Sequence, residues 1–407
     1  MFMSRGVGEP GILFPDSSTP RLSDSPSQFL DDYFPGMALN QASTISNPQT
    51  LMPHMHPVPA RDVLIGAVAR VAEAWQDPAH PPRAEAAEQT LHAPNRFTEE
   101  ALAFAVNQQM SLLSPEAMAA WMAGRRAVAP CVVGVLNAGN IPMVGLQDFL
   151  AVVLMGHRYL GTVSSKSPVL LPAFVAALRQ ELPSLPARFA AIDDVWAQAE
   201  ALIATGSEET RAWVEAQSTL HGIPAARCLL RGHRYAVAVI DGHETETERD
   251  GLAEDALLHE GLGCRNLAVV FAPKNLKPDP YLESFAAFRG VFPPHPDTPG
   301  ALSMQQAFLE ALDLPHAYGD GLEFLLSKGE PDVQGPAHLR WVEYDDIREV
   351  GGWLSRHQSD LQLVAARPAL AAHLPPTLSL DSPGEAQRPP LDWHPDGIDT
   401  VAFLASL

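Results

Sequence analysis

The feature that most constrains this fold is an alternation of short apolar runs with helix-like stretches from residue 131 to residue 273. Apolar runs bounded by glycine-containing loops favour buried strands, whereas apolar residues spaced three and four apart favour helices. Strands are predicted over 131–136, 158–163, 201–205, 226–232, 235–241 and 267–273, and helices over 146–156, 168–182, 208–220 and 244–260. Strands that alternate with helices predict an α/β fold with a parallel sheet of βαβ units.

The segment that precedes this alternation is predicted to be helical. Apolar residues recur at helical spacing over Arg61–Trp75 and over Glu99–Met110. Pro115 is typical of a first helical turn, and Ser114 before it is a suitable cap. We therefore expect three helices ahead of the first strand.

The first part of the chain has a different composition. Residues 1–60 are rich in Pro, Ser, Asn and Met and show no sustained periodicity. Such a segment cannot bury enough apolar surface to fold by itself, so residues 1–55 are predicted to be a disordered extension. A start codon at Met52 or Met55 is the alternative interpretation.

Composition limits the classes of function. The chain has 407 residues, 46% of them hydrophobic, which is enough for a sizeable core and two or three domains. The net charge of −21, with 27 basic against 48 acidic residues, argues against nucleic acid as a partner. No run of eighteen apolar residues and no secretory signal is apparent, so we expect neither a membrane span nor export.

The cysteines point to a reducing compartment. Three are present, Cys131, Cys228 and Cys264, and no C-x-x-C pair occurs. This sparse, odd set favours neither a disulfide framework nor a cysteine zinc site, so a cytoplasmic protein without a structural metal is expected.

The first candidate for chemistry is the loop NAGNIPMVG over 137–145, which follows a strand and precedes a helix. Ligands of α/β proteins bind at the carboxyl ends of strands. Asn140 there offers an amide N–H donor for an oxyanion. A turn that uses Asn and Gly only for its conformation is the alternative.

The second candidate is ATGSEET over 204–210, again at the end of a strand and at the start of a helix. Free N–H groups at a helix N-terminus bind phosphate. A simple serine cap at Ser207 explains the pattern equally well, and the segment lacks the G-x-G-x-x-G fingerprint of dinucleotide-binding loops.

The third candidate is EGLGCRN over 260–266, where Cys264 follows two glycines at a break between helix and strand. A thiolate in such a loop is a suitable nucleophile for a thioester, although a lone cysteine is often a small buried hydrophobe. Cys131 and Cys228 lie within strand-like runs and are assigned to that second class. His259, five residues before Cys264, would not face it from a helix and is predicted to be structural or superficial.

Together these three segments, in this order, resemble the aldehyde dehydrogenase superfamily. Asn140-Ile-Pro142 looks like its oxyanion loop, Thr205-Gly206-Ser207 like its helix start on the cofactor side, and Cys264 stands where its catalytic cysteine stands. The closer resemblance, from about residue 60 to 407, is to the LuxC family of acyl-CoA reductases. It is carried by NAGNIPMVGLQDFLAVVLMGHRYL, VSSKSPVLLP, ALIATGS, VAVIDGHETE, GLGCRN and the tail PGEAQRPPLDWHPDGIDTVAFLASL.

The resemblance implies a fold, a division of the chain and a reaction. It implies a Rossmann-type cofactor domain with its N-terminal helices over 56–241, an α/β catalytic domain over 242–385 and a C-terminal segment over 386–407 that returns to the core. In the reaction, Cys264 would accept the acyl group of an acyl-CoA, or of an acyl-carrier protein, as a thioester, and release CoA. Asn140 and the Cys264 backbone N–H would hold the oxyanion, and NADPH, or NADH as the alternative, would reduce the thioester to an aldehyde.

The cofactor side departs from the family pattern. The family's cofactor-binding lysine corresponds here to Thr162, with Lys166 four residues later. The glutamate that activates water in hydrolytic relatives is either missing or moved to Asp241 or Glu244. The cofactor-binding residues that the resemblance implies are Thr162, Ser164, Lys166, Thr205, Gly206, Ser207 and Gly242.

The resemblance also implies a homo-oligomer, with membership of a fatty-acid reductase complex as an extension. Two other functions stay open. A redox-inactive acyltransferase or thioesterase-like protein would keep Cys264 and Asn140, and Thr162 motivates this hypothesis. A non-catalytic subunit of a fatty-acid-modifying complex would need neither residue.

Overall fold

The computed structural model describes residues 57–126 and 128–407. The expected disordered extension over 1–55 lies outside these residues. The described chain is α/β, as predicted, with two sheets in succession along the sequence.

The first sheet has five parallel strands in the order β3-β2-β1-β4-β5. Its strands are β1 (Val132–Leu136), β2 (Arg158–Gly161), β3 (Ala187–Phe189), β4 (Ala201–Thr205) and β5 (Cys228–Arg231). The chain moves outward from β1 through β2 and β3, and then returns to the other side of β1 for β4 and β5. A topological switch point therefore lies between the carboxyl ends of β1 and β4, where doubly wound sheets bind ligands.

The second sheet has seven strands in the order β12-β11-β6-β7-β10-β9-β8, all parallel except the β8–β9 pair. Its strands are β6 (Tyr235–Val239), β7 (Leu267–Pro273), β8 (His316–Tyr318), β9 (Leu325–Lys328), β10 (His338–Tyr344), β11 (Leu361–Ala366) and β12 (Leu380–Asp381). Because β6 pairs with β7 and β11, the chain leaves the first sheet after Arg231. The second sheet therefore begins with β6, and the expected domain boundary at residue 242 stays a prediction.

Helices cover the faces of both sheets. They are α1 (Arg61–Gln76), α2 (Pro81–Leu91), α3 (Glu99–Ser111), α4 (Pro115–Trp121), α5 (Leu146–Leu154), α6 (Leu170–Glu181), α7 (Ile192–Gln198), α8 (Glu208–Leu220), α9 (Glu246–Leu257), α10 (Asp279–Val291), α11 (Thr298–Ala311), α12 (Ile347–Arg356) and α13 (Thr400–Ala405). Nothing in the described chain forms a helix with the length and apolar character that a membrane crossing needs.

The N-terminal helices share one core with the first sheet. Trp75 of α1 packs edge to face on Phe174 of α6 with ring centroids 5.3 Å apart, and both side chains are fully buried. Val401 and Leu404 of α13 join the same core. The C-terminal segment thus packs against the first sheet's domain and passes the carboxyl ends of its strands on the way.

Candidate active site

A cavity of about 190 Å³ lies at the switch point of the first sheet. Leu136 at the end of β1 and Thr205 at the end of β4 border it on one side. The turn that carries Cys264, one face of α3 and the C-terminal stretch 386–396 supply the other walls. The cavity therefore joins the expected cofactor edge to the expected nucleophile.

Cys264 borders this cavity with its side chain half-buried. Burial raises the pKa of its thiol to about 11, and the nearby carboxylate of Asp396 acts in the same direction. Arg265 and Arg231 oppose that rise without cancelling it. The resting thiol of Cys264 is therefore neutral near pH 7, and it could act as a nucleophile only with a group that accepts its proton.

The turn around Cys264 is held by the side chain of Asn266, which sequence reasoning missed. The Gly263 N–H donates to Asn266 Oδ1 at 2.8 Å. Asn266 Nδ2 donates to the carbonyl of Asp255 at 2.9 Å and to that of Leu258 at 2.8 Å. One buried amide thus ties the nucleophile turn to the end of α9.

Asn140 lies against the same turn and is not among the residues that border the cavity. Its Nδ2 donates to the backbone carbonyl of Leu262 at 2.8 Å, and its neighbours Ile141 and Pro142 border the cavity instead. The structure brings Asn140 and the Cys264 turn together, while its role as an oxyanion donor stays a prediction.

The helix start at Thr205-Gly206-Ser207 is compatible with both interpretations of its sequence, a simple serine cap and a ligand-binding helix N-terminus. Ser207 caps α8 by accepting the N–H of Thr210 at 3.3 Å, as a simple cap would. Thr205 nevertheless borders the cavity. At Gly206 an added Cβ would lie 2.6 Å from the Thr210 side chain, so the close approach of chain and helix requires glycine here.

Thr162 is buried and engaged with the Asn loop. Its side-chain oxygen accepts the N–H of Asn137 at 3.3 Å, and its carbonyl accepts Asn137 Nδ2 at 2.8 Å. Ser164 Oγ accepts the N–H of Lys166 at 3.3 Å, and the Ser164 side chain lies beside Gly139. These cofactor candidates adjoin the carboxyl end of β1, but they do not border the cavity.

The segment around Gly242 lies outside the cavity. Gly242 adopts φ +82°, and its N–H and that of Asp241 donate to the buried Glu244 carboxylate at 3.0 and 2.8 Å. Asp241 is paired with Arg367 at 3.0 Å, and Glu244 also accepts the hydroxyl of Tyr281. Neither carboxylate is therefore brought to Cys264 as a water-activating base.

His259 occupies a different place from the one expected. Helix α9 ends at Leu257, and His259, Glu260 and Gly261 all adopt left-handed conformations with φ from 53° to 72°. The imidazole is 7% exposed and borders the cavity together with Cys264. Of the two predicted alternatives, a structural or a surface histidine, the surface one is wrong, because it assumed a helix that continued through residue 260.

The C-terminal stretch over 386–396 forms a wall that sequence reasoning did not assign to the site. Gln147 Nε2 of α5 donates to the carbonyls of Leu391 and Trp393 at 2.8 and 2.7 Å. The Arg265 guanidinium lies 4.7 Å from the Trp393 ring centroid, and its Nε donates to the Ala386 carbonyl. Arg265, the residue after Cys264, thus holds this wall beside the turn of Cys264.

A buried ion pair between Arg231 and Asp148 borders the cavity. Both Arg231 Nη atoms donate to Asp148 at 2.7 and 2.9 Å, and Nη2 also donates to Thr400 Oγ1 at 2.6 Å. Arg231 closes β5, Asp148 lies in α5 and Thr400 opens α13. The pair therefore joins the first sheet, its covering helix and the C-terminal helix at the site.

Three non-glycine residues with strained backbone conformations border this cavity. Met143, His259 and Asp396 all border it and all have positive φ values of 53° to 59°. Such conformations cost non-glycine residues on the order of 1–3 kcal/mol each and persist mainly at functional sites. Within the part of the chain that the structure describes, no group of three or more potential metal-ligating side chains occurs.

The chain matches a family model over part of its length. Residues 125–281 match the model of the LuxC acyl-CoA reductase family. The resemblance to LuxC is confirmed. The LuxC-matched region contains β1, the Asn loop, β4, β5 and the turn of Cys264. A search of curated protein sequences returned no match.

Solved aldehyde dehydrogenases share the fold. One is a variant of the indole-3-acetaldehyde dehydrogenase AldA from P. syringae, in complex with NAD⁺ and IAA. It is 12% identical in sequence, with a TM-score of 0.61, and the match covers 78% of this chain and 74% of AldA. HpcC from Thermus thermophilus is 15% identical with a TM-score of 0.60, and the match covers 80% of this chain and 75% of HpcC. The putative aldehyde dehydrogenase PutA from Anabaena variabilis is 11% identical with a TM-score of 0.58, and the match covers 86% of this chain and 92% of PutA.

These likenesses show the fold, which is that of the aldehyde dehydrogenases, as the sequence resemblance implied. The LuxC match over residues 125–281 supports an oxidoreductase that acts on acyl or aldehyde groups.

Proposed function

We propose that this protein is an acyl-CoA reductase that forms an acyl-cysteine on Cys264 and reduces it to an aldehyde with NAD(P)H. The observation that carries the proposal is the cavity at the β1–β4 switch point, which Cys264 borders opposite Thr205. A nucleophile at this position lies within reach of a dinucleotide bound along the carboxyl ends of the strands.

The cavity suits an apolar acyl chain. Its walls include Phe104 and Leu112 of the α3 region, Ile141 of the Asn loop, and Leu391 and Trp393 of the C-terminal stretch. Binding sites for apolar ligands combine such surfaces with a few polar groups that orient the reacting atoms. The donor would therefore be an acyl-CoA or an acyl-carrier protein.

The nicotinamide cofactor would be held at the ends of β1 and β4. Thr205, Gly206 and Ser207 present the start of α8 to a pyrophosphate, while Ser164 and Lys166 lie beside the Asn loop. The tight Gly206–Thr210 approach fits such a loop. NADPH is the proposed donor and NADH the alternative; the cofactor supplies hydride to the acyl carbon.

The residues of the chain would act in sequence. The Cys264 sulfur attacks the thioester carbonyl while its proton leaves, and the Cys264 backbone N–H with the Asn140 amide holds the oxyanion. The second hydrogen of Asn140 Nδ2 is the one available, because the first is bound by Leu262 O. Collapse breaks the bond between the acyl carbon and the CoA sulfur, and CoA leaves as a thiol with the proton that Cys264 gave up. After reduction of the acyl-cysteine, the bond between the carbon and the Cys264 sulfur breaks as the aldehyde forms.

One observation favours a second candidate, a redox-inactive acyltransferase. The family's cofactor-binding lysine is replaced by Thr162, whose side chain is bound to Asn137. Such a protein would form the acyl-cysteine and pass the acyl group to another thiol.

A single-turnover experiment separates these functions. The protein is mixed with a long-chain acyl-CoA, and its intact mass is recorded before and after addition of NADPH or NADH. An acyl adduct that disappears with release of aldehyde is the expected result. An adduct that ignores both cofactors but moves to added CoA would favour the acyltransferase, and no adduct from any donor would favour a non-catalytic subunit.

The proposed assembly is tested by a separate experiment. We propose a cytoplasmic homo-oligomer that can join a fatty-acid reductase complex, because relatives of this fold use extensions for subunit contacts. Sedimentation of the purified chain that gives only a monomer mass would contradict the oligomer.

A further inference from the structure

Exposed apolar side chains gather at the β8 edge of the second sheet. The described chain exposes eleven large apolar side chains, and six of them lie between residues 304 and 333. Met304 is 76% exposed and Phe308 63% exposed, one turn apart on α11. Contiguous apolar surface of this kind marks interaction sites on folded proteins. The six residues, called the apolar patch below, are Met304, Phe308, Leu312, Leu314, Tyr318 and Val333.

Four members of the apolar patch surround one groove. The groove has a volume of about 430 Å³ and is lined by Met304, Phe308, Leu314 and Val333. His338 also lines it, but both nitrogens of its ring are engaged, one with Ser327 Oγ at 2.7 Å and the other with Gln305 Oε1. The groove therefore offers an apolar contact surface and no free imidazole for chemistry.

The strand beside the patch has an open edge. β8 is the last strand of its sheet and pairs on one side with β9. The backbone groups of Pro315 and Gly319 bond toward β9 at the two ends of the strand, so the alternation of antiparallel pairing turns Ala317 toward β9 as well. The backbone N–H and C=O groups of His316 and Tyr318 point away from the sheet, and they have no backbone partner in the described chain.

A second copy of the same strand matches this edge. Two β8 strands related by a two-fold axis at Ala317 pair antiparallel, with His316 of each copy opposite Tyr318 of the other. This register bonds the two N–H and two C=O groups that each strand leaves open. The axis is perpendicular to the sheet, so it brings α11 of both copies to the same face, with Met304 and Phe308 beside the contact.

The area of the apolar patch agrees with a dimer contact. The exposed parts of its six side chains amount to about 600 Å², if a whole side chain of this size counts about 200 Å². A standard interface buries about 800 Å² on each partner. The open backbone edge of β8 and the polar residues around the patch supply the difference.

We propose that β8 and the apolar patch form the two-fold interface of a dimer of this chain. This inference rests on the proposed homo-oligomer and names the surface that forms it. It uses no step of the acyl chemistry, so its test is independent of the proposed reaction.

Sedimentation of the full chain over a range of concentrations tests the interface. The parent should form a dimer, and Phe308→Asp and Tyr318→Pro should each raise its Kd about 30-fold or more, the effect of losing a central interface residue. Phe308→Asp puts a charge into the apolar contact, and Tyr318→Pro removes an N–H that points away from β9. Leu220→Asp is the matched control and should sediment like the parent, because Leu220 is 75% exposed at the end of α8, beside the first sheet. Circular dichroism checks that each variant is folded.

A cysteine at Ala317 tests the two-fold register directly. Opposite residues that exchange no backbone hydrogen bonds have Cα atoms about 4.5 Å apart in an antiparallel pair, which a disulfide can span. Ala317→Cys should therefore give a covalent dimer on oxidation with diamide. The parent, whose cysteines are Cys131, Cys228 and Cys264, and the control Leu220→Cys should run as monomers on a denaturing gel.

The outcomes separate the surface from the oligomer and from the reaction. A parent dimer that persists with unchanged Kd in Phe308→Asp and Tyr318→Pro, or the absence of a covalent dimer of Ala317→Cys, would refute this surface and assign the homo-oligomer to another face. A parent that stays monomeric at every concentration would refute both the surface and the oligomer, and would leave the patch to a different protein. Acyl-adduct formation on the same samples, followed by intact mass, reports on the proposed reductase separately.

Discussion

The side chain of Asn266 offers the most quantitative test of how the nucleophile turn is held. It is 2% exposed and makes three hydrogen bonds to backbone groups, those of Gly263, Asp255 and Leu258. In Asn266→Ala the buried Gly263 N–H loses its partner. The Leu258 carbonyl keeps the bond of the 3₁₀ turn that it opens. The Asp255 carbonyl keeps the Nε2 of Gln387 at 3.2 Å.

The expected cost follows from this count. One buried backbone N–H left unpaired, at about 1–3 kcal/mol, gives a loss of about 2 kcal/mol in the free energy of unfolding. Urea denaturation followed by fluorescence measures it as a shift of the midpoint. Because the turn also presents the thiol, the rate of Cys264 alkylation should change in the folded variant.

Asn95 provides a matched control. It also makes three hydrogen bonds to backbone groups, those of Phe97, Thr90 and Lys166, but it is half-exposed. Water can replace the lost amide there, so Asn95→Ala should cost about 1 kcal/mol. A cost for Asn266→Ala no greater than that for Asn95→Ala would refute the reasoning.

Three further predictions concern the same site. Asn140→Ala should lower the rate of acylation about 10²-fold or more in single turnovers, as for other lost oxyanion donors, and an unchanged rate would remove Asn140 from the reaction. Burial raises the pKa of Asp255 to about 7, so its neutral form contributes stability below about pH 4 that is lost as the pH rises through 7. Thermal unfolding of Asp255→Asn should lack that loss, and the same pH dependence as the parent would contradict the assignment. Arg231→Met leaves the buried Asp148 carboxylate without its cation and should lower the free energy of unfolding by about 3–5 kcal/mol. Combining it with Asp148→Leu should recover most of the thermal stability. A double variant no more stable than Arg231→Met alone would exclude charge burial as the cause.

Local signals made some elements predictable. The helix over 208–220 was predicted to the residue, because Ser207 provides a cap and the first turn is acidic. The parallel first sheet followed from apolar runs separated by helical spacing. Strand β3, with three residues, and helix α7, with seven, were too short to show a period and were missed.

Other features depended on tertiary context. The apolar run of β6 would suit either sheet, and only its pairing with β7 and β11 assigns it to the second. The turn at His259 required two non-glycine residues in left-handed conformations, which no sequence pattern signals. The C-terminal stretch over 386–396 shows no hydrophobic periodicity, so its position against the cavity could not be predicted from its residues.

The candidate site was predicted in its parts and not in its arrangement. Cys264 and Thr205 border one cavity, as their separate motifs suggested. Asn140 lies behind the nucleophile turn, and Thr162 is held by Asn137. Those side-chain directions follow from hydrogen bonds across more than twenty residues of sequence, which spacing alone does not encode.

The most direct test of the central claim is to locate the acyl group. The protein is quenched during a single turnover with isotope-labelled acyl-CoA and digested, and the labelled peptide is identified by mass spectrometry. The account predicts one acyl group per chain on the peptide that contains Cys264, and none in Cys264→Ala. Label on Cys131 or Cys228, or labelling that persists in Cys264→Ala, would contradict it.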